Sequence, residues 1–130
     1  MRILQPPSWA RPRGYSNGLL TRGQLVFVAG QIGWDAQCRF QTSDLTGQVR
    51  QALENVVAVL AQAGARPAHI ARMTWYVIDK HEYIAAYSSI GAVYRQVIGA
   101  HYPVMTAVQV SALLEDQAKV EIEATAVIPD

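Results

Sequence analysis

Glu121 and Glu123 are the residues of this chain best suited to acid–base chemistry. They stand two apart in Ala118-Lys-Val-Glu-Ile-Glu-Ala-Thr-Ala-Val127, where apolar and polar residues alternate as they do in a half-buried strand. Period two sends Val120, Ile122, Ala124 and Ala126 to one face and Lys119, Glu121, Glu123 and Thr125 to the other. A partly desolvated carboxylate there can hold a water or exchange a proton with a ligand. The same two carboxylates can equally be structural, paired with Lys119 or Arg72, and the residues alone leave both readings open. In the segment from Tyr102 to Ser111, alternation assigns Val104, Val108 and Val110 to the helix-covered side. It sends Met105, Ala107, Gln109 and Ser111 to the side of the carboxylates. Other reactive groups are isolated. His69, His81 and His101 have no Cys or His at metal-ligand spacing, and Cys38 lies in a polar loop without an adjacent base. Neither a metal nor a cofactor is expected.

These residues need elements to hold them. Residues 1 to 17, with Pro6, Pro7, Pro12, Gly14 and Asn17, read as an irregular arm. Strands are expected near 18 to 21 and 24 to 30, joined as a hairpin at Arg22-Gly23. Asp44 caps a helix that runs to Gly64, with Leu45, Val49, Ala52, Leu53, Val56, Leu60 and Ala63 as its buried stripe. Met73 to Asp79 is a strand rich in β-branched and aromatic residues. A second helix covers His81 to Gly99, and strands at 102 to 111 and 118 to 127 complete a β-β-α-β-α-β-β order. The expectation is one α+β domain over residues 1 to 130, with two helices on one face of a mixed sheet. Two helices cover one face only, yet the strand at 24 to 30 is apolar on both (Leu25 and Phe27 against Val26 and Val28). An identical neighbour is expected on the second face, because large exposed apolar patches on a monomer are rare.

Composition narrows the partners. The chain is 51% hydrophobic and 16% charged, with a net charge of +1. That balance supplies a core and gives no electrostatic footprint for nucleic acid or anionic lipid. No apolar run is long enough to span a bilayer. The prolines of Met1-Arg-Ile-Leu-Gln-Pro-Pro interrupt what a signal peptide would need, so a cytoplasmic location is expected.

Several segments carry a resemblance. Tyr15-Ser16, Leu25-Val-Phe-Val-Ala-Gly-Gln-Ile-Gly33, Arg50-Gln-Ala-Leu-Glu-Asn55, Thr74-Trp-Tyr-Val-Ile-Asp79, Ala107-Val-Gln-Val110 and Val120-Glu-Ile-Glu-Ala124 resemble the RidA/YjgF enamine/imine deaminases in order and spacing. The resemblance implies a chorismate-mutase-like fold and a homotrimer closing a central barrel, with small-molecule clefts between subunits. It assigns Glu121 to the catalytic water and places Tyr15, Gly30, Gln31 and Ile32 along the cleft. Trp34, just beyond, is a further candidate for its wall.

In active members a Pro-Ala-Arg-Ser motif supplies an arginine that clamps the substrate carboxylate. The matching stretch here is Pro103-Val-Met-Thr106, so Met105 stands in the arginine's place, either lining the ligand cleft or filling a packed face. A thioether cannot replace a bidentate guanidinium, which argues against ordinary 2-aminoacrylate hydrolysis unless Arg13, Arg22, Arg72 or His101 compensates. The expected function is a divergent hydrolase or deaminase acting on a C=N bond. The alternative is a trimer that binds a small molecule without turnover, and the charge balance disfavours a ribonuclease or translation inhibitor.

Overall fold

The computed structural model describes residues 1–130. A main sheet in the order β3 (Gln24–Ile32), β6 (Val120–Ile128), β4 (Ile70–Val77), β5 (Val104–Gln109) carries all the helices on one face. β4 and β5 run parallel, and the other neighbours are antiparallel. The crossover between β3 and β4 is α1 (Leu45–Gln62); that between β4 and β5 holds α2 (Lys80–Ala85) and α3 (Tyr87–Val97). This is the mixed-sheet α+β architecture expected from the sequence.

α1 begins where Asp44 accepts the Gly47 N–H at 2.9 Å, a cap worth about 1 kcal/mol. Its stripe from Leu45 to Leu60 is buried against β3, β6 and α3, in one core with Val28, Ile70, Met73, Trp75, Val120, Ile122, Ala124 and Ala126 of the sheet. The alternation read in β6 holds: its four apolar residues are buried, Glu121 is half-buried and Glu123 is exposed.

Four expectations are corrected. The arm is not wholly irregular, because β1 (Arg2–Leu4) pairs antiparallel with β2 (Gly18–Leu20) in a separate two-stranded sheet. β2 therefore makes no hairpin with β3. Gly23, at φ 143°, packs so closely on β6 that a Cβ would lie 2.0 Å from the Ile128 carbonyl oxygen, and the chain turns a corner there, leaving β3 as an outer strand. The expected helix from His81 to Gly99 is broken at Ala86 (φ −98°, ψ 7°) into α2 and α3.

The fourth correction concerns β5. In its parallel register Met105 stands beside Met73 and Ala107 beside Trp75, both core residues on the helix side. Met105 and Ala107 therefore face the helices, and Val104, Thr106 and Val108 face the open side. Both alternating sets of β5 are mildly apolar, so its own pattern could not set the phase; pairing with β4 does.

Candidate functional site

Two constructions lie at the two sides of the sheet. At the β3–β6 end, the register slips between Val28 and Gln31, leaving Ala29 and Gly30 in a bulge. Without the bulge Gln31 would stand opposite Glu121; with it, Ile32 does. Gly30 is required by close approach, since a Cβ there would sit 2.5 Å from Glu121 Oε1 and under 3 Å from its Cδ and Cγ. The Glu121 carboxylate thus rests on bare backbone. It takes part in none of the chain's three ion pairs. The structural pairing considered for it is absent, because Lys119 reaches Glu82 at 3.1 Å instead. Glu123 is engaged: it accepts the Tyr76 hydroxyl at 2.8 Å. That hydrogen bond, with desolvation, raises the Tyr76 phenol above its ordinary pKa.

The loop beyond β3 is fixed from two directions. Asn55 on α1 donates to the carbonyls of Ile32 (3.2 Å) and Trp34 (2.8 Å). Asp35 accepts the Arg39 N–H, the Gln41 amide and the Gln37 N–H at 2.8 to 3.0 Å, the Arg39 N–H foremost in holding its carboxyl below the usual carboxylate range. The Trp34 ring packs on Phe40, centroids 5.9 Å apart. Gly30, Gln31, Ile32, Trp34 and Glu121 therefore belong to one end of the sheet.

Tyr15 and Met105 belong elsewhere. Ser16, buried, donates its N–H to the Pro103 carbonyl at 3.0 Å and its hydroxyl to the Tyr102 carbonyl at 2.6 Å. This stitches the arm to the start of β5. Tyr15 then joins Met105, Ala107, Trp75 and residues of α2 and α3 around a cleft of about 650 Å³ on the helix side. In one chain, the sheet separates this cleft from Glu121.

The cations divide as well. Arg13 lines the Met105 cleft. Arg72 lines a hollow on the opposite face with Phe27, Thr74 and Glu123, and Arg22 is ion-paired with Asp130 at 3.2 Å. His101 is structural: its Nε2 lies 2.7 Å from the Ile70 carbonyl, to which it must donate, and its own carbonyl accepts the Tyr94 hydroxyl. Arg95 also lines the cleft. It was missed in the sequence because only its place on α3, four residues after Gly91, brings it there.

The family model described as Endoribonuclease L-PSP matches residues 8–128. The chain belongs to this family, the Rid or YjgF proteins. Among Rid relatives, the 2-iminobutanoate/2-iminopropanoate deaminase of Salmonella typhimurium is 33% identical over 108 residues, 81% of this chain and 80% of that protein. A Rid protein of Yersinia pestis, YyfB, superposes with a TM-score of 0.86 at 30% identity, over 98% of both chains. Escherichia coli TdcF with bound serine gives a TM-score of 0.70 at 33% identity, over 98% of this chain and 99% of that one. The expected family and fold are therefore those found. No helix of the Rid chain is long and apolar enough to cross a membrane.

Proposed function

We propose that this Rid protein hydrolyses C=N compounds, imines or the enamines that tautomerise to them, in clefts that two copies of the chain complete. The observation that carries the reading is an unpaired Glu121 carboxylate laid on the Gly30 backbone beside one outer strand, with the Met105 cleft at the other outer strand. A head-to-tail ring joins the β5 edge of one copy to the β3 edge of the next, which brings the Met105 cleft of one copy and the Glu121 end of the next to the same junction. Three copies close such a ring. Their open sheet faces make the inner wall, on which Leu25, Phe27 and Val108 are 60%, 72% and 43% exposed in the lone chain. The named activity of the Salmonella relative and the serine bound to TdcF support a small-molecule site of this kind.

The chemistry follows from the carboxylate. Water adds to the imine carbon while Glu121 accepts one of its protons and the π pair moves to nitrogen, which takes up a proton. The carbinolamine then collapses: its hydroxyl gives up the remaining proton to solvent, replacing the solvent proton that nitrogen took up, the oxygen pair forms the carbonyl, the C–N bond breaks, and the proton held by Glu121 leaves with the nitrogen as ammonia. Imine and water give carbonyl and ammonia, with no redox partner. Gly30 contributes by leaving room for the carboxylate, and Ile32 by covering its flank.

The test is ammonia release from 2-imino acids generated in situ. Glu121→Gln keeps the shape and removes the base, and is expected to lower the rate about a hundredfold or more with the melting temperature unchanged. Met105 favours a second reading, binding without turnover, because the cleft lacks a guanidinium on β5. Ligand-dependent thermal stabilisation with no imine hydrolysed faster than in buffer would establish that reading instead. A folded monomer at micromolar concentration in sedimentation would overturn the shared-cleft geometry common to both.

A further inference from the structure

The cleft beside Met105 contains groups for which the hydrolysis above has no use. Its wall is aromatic. Trp75 packs at a tilt on Tyr83 (centroids 6.3 Å, 57°), and Tyr83 meets Tyr87 edge to face (5.3 Å, 86°). Around this series stand two guanidinium groups, Arg13 from the arm and Arg95 from α3, and no carboxylate lines the cleft. Neither arginine takes part in an ion pair. Arg95 lies back along its own helix, with Nη1 3.4 Å from where a Cβ on Gly91 would be, so its charge is carried over the cleft. Trp75 adds an independent sign. It is 2% exposed, and its Nε1–H is the one buried side-chain polar atom in the chain without a hydrogen-bond partner. Buried donors are seldom left unpaired, and one in a cleft wall calls for an acceptor that the chain itself does not provide.

We propose that this cleft is the specificity pocket of the Rid site and that it takes a planar aromatic or conjugated organic acid. The flat body lies among Trp75, Tyr83 and Tyr87, where offset and edge-on ring packing is favourable. The carboxylate is drawn to Arg95 and Arg13, which take over on α3 and the arm the charge that β5 lacks at Met105. The Trp75 N–H donates to an oxygen or nitrogen of the ligand. This rests on the reading of the cleft as half of a C=N hydrolase site and narrows its substrates to 2-imino acids with an aromatic or conjugated side chain, in preference to short aliphatic ones.

Stable 2-keto acids separate recognition from turnover. Phenylpyruvate, pyruvate and the uncharged phenylacetone can be titrated against the assembled protein, following tryptophan fluorescence and calorimetry. Phenylpyruvate is expected to bind at least about tenfold more tightly than either of the others, the margin that one charged hydrogen bond or one buried ring supplies. Arg95→Leu should weaken phenylpyruvate about tenfold and leave phenylacetone unaffected. Trp75→Phe, which keeps an aromatic ring and deletes the donor, should weaken it about threefold to tenfold. Equal affinity for phenylpyruvate and pyruvate would overturn the aromatic selection, and equal affinity for phenylpyruvate and phenylacetone, or an Arg95→Leu variant that binds as the parent does, would overturn the carboxylate assignment. Turnover is read in parallel with imines made from phenylalanine and alanine by an amino-acid oxidase. Tight phenylpyruvate binding with neither imine hydrolysed leaves this pocket standing and removes the hydrolase; hydrolysis of both imines at equal rates, with equal keto-acid affinities, does the reverse.

Discussion

The two outer strands of the sheet build their share of the site by opposite means. At β3, position is set by contact with backbone: a bulge, two glycines and an asparagine leave each group one place to be. At β5, the cleft is assembled from side chains of the arm, β4, β5, α2 and α3, none of which is forced by its immediate neighbours. The first kind of construction suits a group that must hold a reacting water in one geometry, where a displacement of about 1 Å costs about a hundredfold in rate. The second suits a surface that selects ligands, because single side chains can change without disturbing the fold.

The sharpest test of this contrast compares two glycines three residues apart. Gly30→Ala puts a methyl group against the end of the Glu121 side chain, which can swing aside. Activity should fall at least about a hundredfold, with little change in stability. Gly33→Ala meets the Cβ and Cα of Gln48 at 2.6 and 2.8 Å, on a helix that cannot move freely. Gln48 is wholly buried and ties α1 to the Gln117 carbonyl and the Lys119 N–H at 2.9 and 2.8 Å. Overpacking there should cost about 1 to 3 kcal/mol, read by denaturant unfolding. If Gly30→Ala unfolds the protein as readily as Gly33→Ala, the division between a catalytic and a structural close approach fails.

A smaller effect is expected at β5. Met105→Arg restores a guanidinium to the strand inside a cleft that already holds Arg13 and Arg95. Affinity for pyruvate should rise about tenfold, in line with a charged hydrogen bond of about 1.5 kcal/mol, while the preference for aromatic acids shrinks. Calorimetry on both ligands reads the ratio. An unchanged ratio would mean that Met105 is packing and that specificity lies wholly with the helices.

The same contrast explains what the sequence disclosed. Local construction is legible: Asp44 and Gly64 bracket α1, strict alternation phases β6, and the Gly30-Gln31-Ile32 run marks the β3 end. The β5 side was misread because its phase is set by a register with β4, a nonlocal fact that a strand of Val, Met, Thr and Ala does not encode. Tyr83, Tyr87 and Tyr94 recur at ordinary helical spacing, and the break at Ala86 that sets Tyr83 and Tyr87 edge to face leaves no proline or glycine as a signal. The N-terminal arm hid its strand for a similar reason, as Arg2–Leu4 is ordered only by finding Gly18–Leu20.

The smallest expected effect tests whether the cleft's back wall is rigid. Tyr94 is 5% exposed, stacks on Tyr102 at 5.6 Å and donates to the His101 carbonyl. Burial, followed by the neighbouring Tyr102, pushes its phenol far above the ordinary value of about 10. In the unfolded chain Tyr94 ionises near that ordinary value, whereas in the fold it stays protonated well beyond it. Its contribution to stability is therefore full below pH of about 10 and declines as pH rises further, because only the unfolded state releases the proton. Tyr94→Phe should cost about 1 kcal/mol at neutral pH through the lost hydrogen bond. The gap between parent and variant should then narrow in denaturant titrations between about pH 10 and 11. The shifts of Tyr76 and Tyr83 are common to both proteins and cancel in the difference. A gap that stays constant across that range would mean the Tyr94 hydroxyl reaches solvent in the native state, and that the wall behind the aromatic cleft opens rather than holding fixed.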